Sequence, residues 1–155
     1  MTIELCLSVI GAVTGIVGTA IGILGVVNNR FLAIREYMAG VEAPEFIKAR
    51  AAIREIEDPS QIPLDNTDAA QLVNFLDHWG LLAKKHYLPL WVFNSGSGDG
   101  IIEYYNQVRE YIKKRQAERS TYASNFEWLY KELNRRKTQK KRQSCNEDQS
   151  CQVEQ

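Results

Sequence analysis

Leu5-Cys6-Leu7-Ser8-Val9-Ile10-Gly11-Ala12-Val13-Thr14-Gly15-Ile16-Val17-Gly18-Thr19-Ala20-Ile21-Gly22-Ile23-Leu24-Gly25-Val26-Val27 is a run of 23 residues without a charge. A helix of that length reaches roughly 34 Å, against about 30 Å for the hydrocarbon core of a bilayer. Helices pair their own amide groups and need no water to do so. The run therefore predicts one N-terminal transmembrane helix over residues 5–27. Within it Ser8, Gly11, Gly15, Gly18, Gly22 and Gly25 follow at steps of three and four, a rhythm that Asn29 continues. Such steps lay the small residues on one stripe, where a second helix can approach closely. The expected result is a helix-packing seam, with a second copy or another membrane protein as partner.

A cleaved signal peptide would need a basic start and a small-residue cleavage site. Met1-Thr2-Ile3-Glu4 has no basic residue, and Asn28-Asn29-Arg30-Phe31 has no small-residue pair. Basic residues lie after the run, at Arg30, Arg35, Lys48 and Arg50. That asymmetry predicts residues 1–4 outside an inner membrane and the bulk of the chain in the cytoplasm.

Beyond the run, periodic apolar positions predict helices throughout. Phe31, Ile34 and Met38 extend the first helix to Gly40, and Pro44 suits the first turn of another, carrying Phe46, Ala49, Ile53 and Ile56. Residues 28–58 form this juxtamembrane pair, closed by Asp58-Pro59. Asn66 or Thr67 caps a third helix with Leu72, Phe75, Leu76, Trp79, Leu82 and Ala83 on one face, ending at Leu88 before Pro89. Leu90-Trp91-Val92-Phe93 is a core-filling turn or strand. After the flexible connection Asn94 to Gly100 comes a helix with Ile101, Tyr104, Tyr105, Val108, Tyr111 and Ile112. A break at Ser120-Thr121 precedes the last, with Tyr122, Phe126, Leu129, Tyr130 and Leu133. The predicted fold is all-α: the transmembrane helix, then a small bundle of about four helices, with a helical domain over 66–137 and a disordered polar tail over 138–155.

The chain of 155 residues has no net charge, but seven basic residues fall between Lys131 and Arg142 against Glu132 alone. Three readings fit that segment. Cations are favourable at a helix C-terminus. Arg135, Arg136, Lys137, Lys140, Lys141 and Arg142 could contact anionic lipid. Nucleic acid would draw on the same charges, yet no reading motif accompanies them and it is not expected as a partner.

Catalytic and metal signatures are missing from the sequence. Gly96-Ser97-Gly98-Asp99-Gly100 lacks the lysine of a phosphate-binding loop. His78 and His86 would stand about 12 Å apart along one helix, too far to share a metal. Cys6, Cys145 and Cys151 have no recognised metal spacing. The expectation is a protein that is not an enzyme and uses no cofactor and no metal.

Leu72-Val73-Asn74-Phe75-Leu76-Asp77, the basic helix Val108 to Arg119, and Tyr122-Ala123-Ser124-Asn125-Phe126-Glu127-Trp128-Leu129 resemble segments of a family of short bacterial membrane proteins known as domain of unknown function 4760. The resemblance spans most of residues 1–135 and implies this helical architecture without implying an activity. In the matching stretches Asn74, Asp77, Arg115, Arg119, Asn125 and Glu127 are candidates for polar contacts between helices. The functional expectation is an interaction or regulatory module that self-associates through the glycine-lined helix. An oligomeric pore or lysis factor is the alternative.

Overall fold

A computed structural model describes residues 3–94 and 98–151, and among them the chain is all-helical. Helix α1 runs Ile3–Val41, α2 Pro44–Arg54, α3 Thr67–Lys84, α4 Trp91–Asn94, α5 Gly98–Glu118 and α6 Ser124–Cys151, with a single 3-10 turn at Pro59–Gln61. Among the described residues no helix is long and apolar enough to cross a membrane. This corrects the predicted fold, in which a transmembrane helix preceded the bundle. The described part of α1 has few uncharged apolar side chains in succession: Val26 and Val27 give way to Asn28, Asn29 and Arg30, and Arg35 and Glu36 follow. From Ala33 onward α1 lies on the bundle, with Tyr37 in the core and Ala33, Ile34 and Val41 packed against it. The side chains from Leu5 to Val17, and those of Ala20, Ile21, Ile23 and Leu24, lie outside the described residues, as does the segment Ser95 to Ser97.

Helix α3 is the centre of the bundle. It packs on α2, α5 and α6 and buries Ala69, Leu72, Val73, Leu76, Trp79, Gly80 and Ala83. Seven buried positions in one helix of 18 are too many for a single stripe, so α3 is covered on more than one side. Phe46, Ala49 and Ile53 from α2 close one flank. Ile101, Tyr104, Tyr105, Val108, Tyr111 and Ile112 from α5 and Phe126, Leu129 and Leu133 from α6 close the rest. Asn66 caps α3 by accepting from the Ala69 amide at 2.8 Å.

The root of α1 is fixed by aromatic packing. Tyr37 is 2% exposed. Its ring stands edge-on to Phe93 at 5.0 Å and to Trp79 at 5.3 Å, and Phe75 lies at 6.3 Å. Phe46 meets Phe75 at 4.0 Å, which ties α2 into the same cluster. Edge-to-face pairs of this kind add to the plain burial of area.

Helix α3 stops at Lys84, four residues before the position that Pro89 suggests. His86 takes a left-handed φ of 63°. The Tyr87 amide then donates to the Leu82 carbonyl and the His86 amide to that of Ala83, which satisfies the last turn in the manner of a Schellman motif. The early stop lets Leu88, 1% exposed, turn into the core. Trp91–Asn94 follows as α4, with Val92 and Phe93 buried and Trp91 left outside.

Candidate functional site

Every described side chain from Gly18 to Leu32 is exposed. A Cβ placed on Gly18, Gly22 or Gly25 would meet nothing within 4 Å. On a helix these glycines and Asn29 share one stripe, which Leu32 prolongs and Val26 borders, while Val27 and Phe31 face the other way. Val26 is 56%, Val27 59% and Phe31 64% exposed. Among the described residues, this stretch of α1 thus presents exposed apolar side chains beside three glycines that a neighbour could approach closely. Ser8, Gly11 and Gly15, the outer part of the predicted seam, lie outside the described side chains.

Of the six candidate polar contacts, the structure joins two directly. Asp77 on α3 accepts from the backbone amides of Asn125 at 2.8 Å and Phe126 at 3.0 Å, and from the Asn125 side-chain amide at 3.2 Å. Helix α6 begins after Ala123, which has a left-handed φ of 56° and no side-chain acceptor. Asp77 supplies the missing cap from 48 residues away in sequence. Three residues on, Gly80 lets the helices touch: a Cβ there would lie 2.6 Å from the Asn125 carbonyl oxygen. Asp77→Ala is expected to cost about 2–3 kcal/mol, since bonds to a charged acceptor are lost and α6 is left uncapped. Asp77→Asn, which keeps an acceptor, should cost less; urea denaturation of both variants measures the difference.

The other four candidates do separate work. Arg115 donates to the Leu64 carbonyl at 2.6 Å and to the Tyr111 hydroxyl at 3.3 Å. Beside it Lys114 donates to the Ser60 carbonyl at 2.7 Å, so the end of α5 holds the segment between α2 and α3. Glu127 pairs with Lys131 at 2.6 Å, and that bond holds its carboxyl below the ordinary range. The exposed side chains of Asn74 and Arg119 make no hydrogen bond among the described residues; Arg119 takes part through its backbone, donating to the Arg115 carbonyl.

Four of the seven basic residues from Lys131 to Arg142, Lys131 among them, are paired within the chain. Arg135 and Arg136 both bond Glu132, at 2.8 Å and 3.0 Å. Lys137 reaches Asp99 at the start of α5, at 2.6 Å. Lys140 and Arg142 are exposed, and the Lys141 side chain lies outside the described residues. Exposed pairs of this kind add little stability, but they reduce the charge free for a partner.

Two residues that the sequence did not single out come together under α1. Arg50 and Arg54 sit one turn apart on α2, in line with Phe46. The Arg50 guanidinium lies 5.3 Å from the centre of the Phe46 ring, and that of Arg54 lies 5.1 Å from the Tyr104 ring. With Tyr37, Val41, Leu76, Gly100 and Ile101 they enclose a cavity of about 90 Å³. The 46-50-54 spacing was the available signal, because it lines two cations up with a core aromatic on one face of α2.

Among the described residues no group of three His, Cys, Asp or Glu side chains could hold a metal ion. His78 stands edge-on to Trp79, with ring centres 5.4 Å apart. Against known proteins, the chain matches the family model described as domain of unknown function DUF4760 over residues 6–133, and it belongs to that family. No curated protein and no solved structure matches it.

Proposed function

We propose that this member of the DUF4760 family acts by association, pairing with a second copy of itself along the glycine stripe of α1, while the α2–α6 bundle serves as the interaction domain. The observation that carries this reading is the open face at Gly18, Gly22 and Gly25 beside exposed apolar side chains. Apolar surface left in water is unfavourable at roughly 25 cal/mol per Å², so a partner that covers it is favoured. A second α1 fits because small residues on both copies let two backbones approach, and Asn29 on the same stripe can bond its own counterpart.

The test is a cysteine scan on the full chain with Cys6, Cys145 and Cys151 replaced by serine. Gly25→Cys, on the stripe, should cross-link into disulfide dimers far faster than Val27→Cys on the opposite face. Sedimentation should show a dimer or larger species that Gly18→Glu with Gly22→Glu converts to monomer, because like charges would then oppose one another across the contact. Equal cross-linking at both positions, or a monomeric parent chain, would remove the stripe from the proposal.

A further inference from the structure

We infer that the cavity between Tyr37, Phe46, Arg50, Arg54 and Tyr104 is a binding site for a small dianionic oxyanion, the phosphate group of inorganic phosphate or of a phosphate monoester. Four observations carry it. First, two guanidinium groups border one cavity, and among the described residues neither has a carboxylate within ion-pair distance. The acid at the start of α5, Asp99, is occupied by Lys137. Second, the Arg50 Nε is buried and has no hydrogen-bond acceptor. Buried donors are almost always paired, so an N–H left open beside a cavity points to an acceptor that belongs there. Third, the walls are aromatic and aliphatic: Tyr37, Phe46 and Leu76 are all buried. Apolar walls displace water and strengthen a charge-assisted bond. Fourth, about 90 Å³ gives room for a small anion.

Charge selects between oxyanions. Two arginines supply two positive charges, which a phosphate dianion balances and a monocarboxylate leaves half compensated. The guanidinium fork also matches the spacing of phosphate oxygens, and stacking on Phe46 and Tyr104 holds each fork in place. The site extends the proposal of association, since its wall residues Tyr37 and Val41 lie at the root of α1, but its test does not depend on oligomeric state.

Titration calorimetry of the full chain with inorganic phosphate, at constant ionic strength, should give saturable binding at one site per chain. Acetate should bind roughly tenfold more weakly or not at all. Arg50→Lys keeps the charge and removes Nε, and should weaken phosphate binding by about tenfold, the loss of one charge-assisted bond. Arg54→Gln, whose side chain is exposed, tests the second cation without disturbing the core. Lys113→Gln, a surface cation on α5, should leave binding unchanged. Trp79 lies against Tyr37, so its fluorescence should follow the same isotherm. Absence of saturable phosphate binding overturns the inference, as does binding that is unchanged in both Arg50→Lys and Arg54→Gln, or acetate binding as tight as phosphate.

Discussion

Gly80→Ala is expected to destabilise the bundle by about 3 kcal/mol, although alanine is the better helix former by about 1 kcal/mol. The added methyl carbon would sit 2.6 Å from the Asn125 carbonyl oxygen and 2.9 Å from its carbon, and both are backbone atoms. A side chain could rotate away; the first turn of α6 can yield only by shifting the helix. Such a shift would also pull the Asn125 and Phe126 amides off Asp77. Two other glycines calibrate the claim. At Gly40 the new carbon would meet the edge of the Phe75 ring at 2.8 Å, a side chain with some room to tilt, so a smaller loss is expected. At Gly100 it would meet only Tyr104 at 3.8 Å, and the substitution should be neutral or stabilising. Urea midpoints at unchanged slope give the order Gly80, Gly40, Gly100. A Gly80→Ala variant as stable as Gly100→Ala would show that the α3–α6 contact is looser than described.

The second large effect belongs to Tyr37. Replacing it by alanine should cost about 3–5 kcal/mol, the usual range for an aromatic side chain removed from a core. The loss has a spatial signature as well. Among the described side chains of α1 Tyr37 is the buried one, so its removal should expose the stretch around Arg30 to Glu36 to limited proteolysis before the rest of the bundle. Tyr37→Phe keeps the ring packing and isolates the hydroxyl. Burial pushes that hydroxyl up from 10 to about 12, with Arg50 pulling the other way. An acid that ionises later in the folded state than in the unfolded one favours folding while both are protonated. Its contribution is therefore full below pH 10 and is lost as pH rises to 12, by up to about 2–3 kcal/mol. The Tyr37→Phe variant should show a shallower alkaline decline over that window than the parent chain. Identical declines would place the alkaline sensitivity elsewhere, in Tyr105 for instance, whose hydroxyl burial also raises.

The sequence made some of this legible. Helix α5 has one buried side, so its stripe from Ile101 to Ile112 could be read from spacing alone, and all six positions are buried. Helix α3 is harder, because it has neighbours on several sides. Phe75 meets Phe46 of α2, Leu76 borders the cavity shared with α5, and Gly80 meets α6. A search for one apolar face finds Leu72 and Leu76 but passes over Val73 and Gly80. The end of α3 was misplaced for a related reason. Proline sets a limit on a helix without fixing where it stops, and here the pull of Leu88 into the core ends it earlier.

The predicted membrane span is the larger correction. An uncharged run fixes length and leaves open what the helix packs against, and α1 continues past that run into the bundle through Tyr37. Among the candidate polar residues, Asp77 and Asn125 could be named, but no periodicity links positions 48 apart. The arginine-lined cavity was hidden in the same way. No spacing on α2 links Arg54 to Tyr104, about fifty residues further on, whose ring it meets.

The cap that Asp77 provides has a bearing on how the polypeptide is made. Helix α6 borrows its first hydrogen bonds from a segment synthesised about fifty residues earlier, so its opening turn gains that support only once a long loop has closed. During translation α3 would emerge with its widest apolar flank bare and wait for α6 to arrive. Nascent chains that stall before Asn125 would thus be natural clients for chaperones, and the emergence of α6 would also be the step that commits the domain to its native state.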